Sequence, residues 1–500
     1  MNFSGNDPGE PADRGSAKSI YRLLPGERQV VWTLWFTYGA FYFCRTNLAV
    51  ALPGIEAELG YDKVQMGIVL SALKIAYACG QFLNGQFAER LSPRKMLAIG
   101  MLGSAGLNVA FGFGTALYFF LFVWALNGYA QSLGWTPCVR VIGNWIPVHR
   151  RGKAVGIVGT GYQVTAGLSY LVSGASVWLM GWRGALLLPP TILVAAAVGM
   201  LLLLRETPEA HAAKRNEETP GVSANAPRLG FLESIRLTLS NPALWLLAIS
   251  LGMLNACRYG FLDWGVSHLV AIDRAGLQRE QIESALASND LTGEQRQRLI
   301  DLRELDLVQD DAQLAVKSVI ADGLLPKREE ERRRQSVLKS AVKYALLPIG
   351  AVLGSFLAGW ATDRFFNSRR APAICTLLVV LGCLTLAYDP IARTSFTGTM
   401  ALLVAVGFCI YGPQVLLVGT APADLARQGT AAAAAGFVNC FGYFGAAGAG
   451  DLLTGYLTTH YGWSVAIYTW AGWAFGAAVL SALLWNATGN DESRGMKDEG

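Results

Sequence analysis

The apolar residues of this chain are gathered rather than scattered. They form twelve runs of roughly 20 residues, at about 29–52, 65–86, 95–115, 117–142, 153–178, 184–204, 242–270, 341–361, 371–389, 398–420, 430–457 and 463–486. A helix of that length crosses a hydrocarbon core of ~30 Å. In lipid every backbone N–H and C=O needs a partner within the protein, so runs this long must be helical. Of the 500 residues 52% are hydrophobic and only 15% charged, whereas a water-soluble chain of this size carries more charge. We therefore expect an all-α integral membrane protein. Its start, "MNFSGNDPGEPADRGSAK", lacks the apolar core of a signal peptide, so no cleavage is expected.

The formal charge of +5 follows the membrane rather than a nucleic acid. Arg90, Arg94 and Lys95 lie between runs two and three, Arg150, Arg151 and Lys153 between four and five, and Arg364, Arg369 and Arg370 between eight and nine. The alternate short loops hold only Lys63, Arg183 and Arg393. The positive-inside rule makes the basic loops and both termini cytoplasmic in a cell membrane. The eight cysteines all fall within apolar runs without a CxxC pair, and the four histidines stand singly. Neither residue type points to a metal site.

The chain also repeats itself. "GQFAERLSPRK" (85–95) matches "GWATDRFFNSRR" (359–370), "MGWRGALLL" matches "YGWSVAIYT", and the pair Cys44–Arg45 recurs as Cys257–Arg258. Six runs, a polar connection and six more runs make the parallel two-half arrangement of a major facilitator transporter. The expected divisions are a tail at 1–28, a first half at 29–205, a central cytoplasmic loop at 206–241, a second half at 242–487 and a tail at 488–500. The repeat exposes an insertion. Arg45 precedes Gly85 by 40 residues, but Arg258 precedes Gly359 by 101. The surplus is the charged stretch of about 272–335, in which Thr292 and Gln295 fit a helix capping box. It should face outward as a small helical cap without chemistry of its own.

Arg45 and Arg258 set the functional question. An arginine deep in a lipid-facing helix costs about 2.5–3.5 kcal/mol on insertion scales, so something must repay it. Matching positions in two pseudo-symmetric halves would bring the two guanidinium groups together near the bilayer midplane. There they suit a multiply charged anion, because a guanidinium can grip phosphate oxygens with two N–H groups. Tyr38, Tyr42 and Arg45 share one helical face. The competing reading is an interhelical ion pair, with Asp263 the obvious partner of Arg258.

Four segments carry a resemblance. "YGAFYFCRTNLAVALP" (38–53), "NGYAQSLGWTPCVR" (127–140), "RYGFLDW" (258–264) and "IYGPQVLLVG…AAAAAGFVNCFGYFG" (410–445) resemble the organophosphate:inorganic phosphate antiporters, the family of glycerol-3-phosphate and hexose-6-phosphate transporters. The resemblance spans nearly all twelve runs, excluding the insertion and tails. It implies that Arg45 and Arg258 bind phosphate and that Tyr38, Tyr42, Tyr77, Trp135, Tyr411 and Tyr443 line the pocket. The doubled segments 85–95 and 359–370 resemble the loop signature of the major facilitator superfamily, which implies that Glu89 with Arg90, and Asp363 with Arg364, latch the two halves in one state. Two positions depart from the antiporter pattern: Gln81 stands where glycerol-3-phosphate-type members have a lysine, and Tyr162 where they have a histidine. Lys74, two turns before Gln81 on the same face, could restore the missing charge or snorkel to an interface.

The expected function is exchange of a small anionic phosphate ester for inorganic phosphate, by a monomer without cofactor, metal or nucleic acid. No phosphate-cradling G-x-x-x-x-G-K-[ST] loop occurs, so gradients supply the energy. The alternatives are a sugar-phosphate sensor on the same scaffold and a carrier of another organic anion. No constellation of nucleophile, base and metal points to an enzyme.

Overall fold

The computed structural model describes residues 23–87, 91–208, 231–288, 291–326, 330–366, 369–426 and 430–485, and these are helical apart from short connections. Among the described residues, seven helical stretches are long and apolar enough to cross a membrane, at Pro93–Phe113, Gly184–Leu203, Pro242–Leu286, Glu330–Thr362, Arg370–Thr394, Phe396–Gly419 and Trp463–Ala482. They correspond to runs three, six to ten and twelve. Runs one, two, four, five and eleven are helical as well, but they fall short of that test. They carry Arg45, Lys74, Gln131, Gln163 and Asp451, polar side chains turned into the protein rather than toward lipid.

Several crossings are not regular helices. Run one is an α-helix (Pro25–Ala40), a 3-10 turn (Phe41–Cys44) and a second α-helix (Asn47–Leu59), so Arg45 falls in the break. Run seven is α-helical over Pro242–Tyr259, widens to a π-helix at Gly260–Trp264 and continues as Gly265–Leu286. Run eleven contains another π stretch, Ala446–Leu452. A break frees backbone groups, which lipid cannot satisfy. In run one they are taken up by amides of neighbouring helices. The Cys44 carbonyl accepts from Asn127 Nδ2 at 3.0 Å and Asn108 Nδ2 at 3.2 Å, and the Phe41 carbonyl from Gln131 Nε2 at 3.0 Å.

The halves meet unevenly. Gly67 of run two lies so close to run eleven that a Cβ would come within 2.8 Å of the Asp451 carbonyl. Ser71 Oγ donates to the Ala447 carbonyl at 2.7 Å, and Tyr170 Oη to the Leu262 carbonyl at 2.6 Å. Among the described residues, hydrogen bonds and ion pairs between halves lie level with the arginines or on the insertion side of them. Toward the opposite face, Arg150–Glu27 and Arg370–Asp424 are ion pairs made within one half. The molecule is thus closed at its insertion end.

The insertion is built as its sequence suggests. Helix Gly293–Glu304 starts with the Thr292–Gln295 capping box, closed by bonds of 3.0 and 3.3 Å, and helix Asp310–Ala321 follows. It is not a detached cap. Leu299, Leu302, Leu307 and Val316 are fully or almost fully buried and pack into the same core as the membrane helices.

Candidate functional site

The break in run one and the end of the α-helix Pro242–Tyr259 in run seven, just before its π-helix, present the two arginines from opposite halves. Arg45 donates from Nη1 to Tyr42 Oη at 3.1 Å, and its guanidinium carbon stands 4.0 Å from the centre of the Tyr77 ring. Arg258 donates from Nη2 to Tyr411 Oη at 3.2 Å and lies 4.8 Å from the ring centres of both Tyr259 and Tyr411. The two are joined by a path of rings: Tyr42 stacks on Tyr162 at 5.0 Å, and Tyr162 faces Tyr411 at 6.4 Å. Tyr77 and Tyr443 close another side at 4.7 Å, and Tyr38 packs on Trp135 at 4.9 Å. Ring faces can stabilise a cation without neutralising it.

Neither guanidinium has a carboxylate partner among the described residues. Arg45 Nη2 and Arg258 Nε are buried and without any hydrogen-bond acceptor. A buried unpaired donor is costly, and more so on a charged group, so an acceptor placed here would be stabilised.

The ion-pair expectation for Arg258 fails on geometry. Asp263 is instead bound to Lys74, Nζ to Oδ2 at 2.5 Å, and the same ammonium holds Asp451. Lys74 is 3% exposed. It neither snorkels nor stands as a free cation in place of the missing lysine, because two carboxylates of the opposite half take its charge. Tyr259 separates this triad from the site, with its ring centre 4.4 Å from Lys74 Nζ and 4.8 Å from the Arg258 guanidinium. Gln81 is half-buried and accepts a long 3.4 Å bond from Thr136. No contact among the described residues links it to the arginines.

The sequence reading omitted Tyr259 and Asp451. Asp451 carried a signal, since an ionisable residue inside the apolar run "AAGAGDLLTG" is a functional candidate by default. Of the four latch candidates, Glu89 and Arg90 lie outside the described residues. Asp363 is on the helix Leu347–Phe365, and Arg364 beside it is exposed.

A helical bundle in two halves, with ionisable side chains turned to its centre, has the architecture of a membrane carrier, and sequence comparison supports that class. The profile of the Major Facilitator Superfamily matches residues 34–287 and 339–498, passing over most of the insertion. The chain belongs to that superfamily and is a carrier, not an enzyme. It is 26% identical to a probable hexose phosphate transport protein of Chlamydia muridarum, over 92% of this chain and 91% of that one. It is also 26% identical to the membrane sensor protein UhpC of Escherichia coli, over 91% of both. Among solved structures, a bacterial homolog of the human lysosomal transporter Spinster, in its inward-facing and unoccupied conformation, aligns with a TM-score of 0.64. That alignment has 15% identity and covers 93% of this chain and 96% of that one.

Proposed function

We propose that the protein carries a small phosphorylated organic anion across the cell membrane in exchange for inorganic phosphate, with Arg45 and Arg258 holding the phosphate group. The supporting observation is the pair of guanidinium groups, each with a buried donor lacking an acceptor and neither with a counter-ion among the described residues. The organophosphate carriers among the relatives make a phosphate ester the fitting ligand. Tyr42 and Tyr411 orient the guanidiniums through their hydroxyls, while Tyr38, Trp135 and Tyr162 offer ring faces to the organic part. Tyr77 and Tyr443 complete the wall.

Alternating access follows from the charges. When the site is empty, two cations face each other and oppose closure. A bound phosphate neutralises them, draws the halves together and lowers the barrier to reorientation. Exchange is then obligatory, because the empty carrier turns over slowly. In this reading the termini and basic loops are cytoplasmic, the insertion is outside, and this conformation is closed toward the outside. Glu89 with Arg90 and Asp363 with Arg364 latch the cytoplasmic side in the opposite state, and the monomer is the working unit.

The experiment is uptake of labelled phosphate into phosphate-loaded proteoliposomes, with phosphate esters as competitors. Saturable uptake that requires internal phosphate and yields to one class of ester is expected. Similarity to a membrane sensor supports a second reading, a receptor that binds the ester and moves little. Ester binding without flux in the same liposomes would select it.

A further inference from the structure

The family profile passes over 288–338, so the match to the family does not account for the contacts of this segment. They fall on both halves within one short stretch. Asp306, in the turn between the two insertion helices, receives Arg393 Nη1 and Nη2 at 3.0 and 3.3 Å. Arg393 belongs to the second half and also holds both oxygens of Asp389 at 3.0 Å, whose Oδ1 pairs with His268 Nε2 at 3.0 Å. Although partial burial opposes its charge, the Arg393 guanidinium keeps Asp306 below the usual carboxylate range. Beside it the Gln309 side chain lies on Gly462, which has φ +84° and where any Cβ would overlap the amide at 1.6 Å. The chain then turns the other way. Asp310 takes Lys63 Nζ with both oxygens, at 2.8 and 2.6 Å. Lys63 opens run two in the first half and is 8% exposed.

The two ion pairs differ in what they join. By chain connection the insertion belongs to the second half, so Asp306–Arg393 ties it to its own half. Lys63–Asp310 crosses to the other one. If the halves separate at this end, the first pair can survive and the second cannot.

We propose that the insertion is a strap across the insertion-side mouth, anchored by Asp306–Arg393 and fastened by Lys63–Asp310, a clasp that opens whenever that mouth opens. The strap rests on the alternating-access reading above, but not on the identity of the ligand. It makes the segment a brake on outward opening rather than a passive cover.

Spin labels on Asp62→Cys and Tyr461→Cys, exposed positions at the insertion end of each half, report the width of that mouth without any substrate. The parent for these measurements, with its native cysteines replaced and only the two label positions introduced, should show a dominant short distance. Asp310→Asn should raise the wide-mouth population at least about threefold, and Lys63→Met should do the same from the other side. Asp301→Asn, an exposed change on the neighbouring helix, should leave the distances unaltered. Unchanged distances in both Asp310→Asn and Lys63→Met, or an equal shift with Asp301→Asn, would overturn the strap. Heat protection by inorganic phosphate, measured on the same doubly labelled parent, tests the phosphate reading separately. Its absence together with the expected distance shifts would remove the ligand and keep the strap.

Discussion

The two halves present matching arginines by different means. Arg45 rides on a broken helix whose free carbonyls are met by Asn108, Asn127 and Gln131, all of its own half. Arg258 precedes a π-helix, and the Leu262 carbonyl there is met by Tyr170 of the other half. Arg45 is only half-buried, while Arg258 is 3% exposed. The first half therefore holds its arginine by internal scaffolding. The second holds its own partly through contacts made across to the other half, the Lys74 triad among them. Pseudo-symmetry of sequence does not carry over into symmetry of support.

The largest expected effect tests that cross-half dependence. Lys74→Met leaves Asp263 and Asp451 buried together without a cation. Removing one partner of a buried ion pair costs about 3–5 kcal/mol, to be read as a fall in thermal midpoint in detergent. Asp451→Asn should cost far less, because it leaves a neutral Lys74–Asp263 pair, and Lys74→Met with Asp263→Asn should recover part of the loss. A Lys74→Met protein as stable as wild type would mean that the triad does not hold the closed end.

Next come the arginines. Lysine keeps the charge but gives up the planar fork, so Arg45→Lys and Arg258→Lys should insert normally and bind phosphate about ten- to a hundredfold more weakly. That corresponds to about 1.5–3 kcal/mol for a charge-assisted contact. If both arginines grip one anion, the losses should be similar despite their unequal burial. Thermal-shift titration with inorganic phosphate measures them. Equal protection of wild type and both variants would sink the shared-anion reading, and a loss confined to one would assign the site to that half.

The fold was legible because lipid permits few solutions, and twelve apolar runs with a doubled loop motif leave little choice. The arginine pair was legible for the same energetic reason, since a charge in an apolar run demands an explanation. What the sequence concealed were the partnerships. Asp263 lies five residues from Arg258 and was the natural counter-ion. Yet a π-helix redirects side chains, and Asp263 meets Lys74 from 189 residues away. The reach of Asp310 to Lys63 was equally hidden, because the capping box that marks the insertion helices says nothing about where they dock. Tyr259 escaped notice because it lies beside Arg258 in sequence, while its role is to stand between that arginine and the triad.

The smallest effect separates internal scaffolding from cross-half support. Asn127 Nδ2 donates to the Cys44 carbonyl while its Oδ1 accepts from Ser104 at 2.6 Å. Asn127→Ala therefore strands buried groups within the first half, at a cost of about 1–3 kcal/mol. Because both partners stay together in every state of the carrier, the loss should appear as lower thermal stability with or without phosphate. Tyr170→Phe removes a donor that crosses between halves. Its cost should be about 0.5–1.5 kcal/mol, and the freed Leu262 carbonyl can find water once the insertion end opens. The change should thus favour opening more than unfolding, widening the distance between labels at positions 62 and 461 while moving the thermal midpoint little. If Tyr170→Phe lowered the midpoint as much as Asn127→Ala and left that distance alone, the second arginine would be held by rigid scaffolding just as the first is.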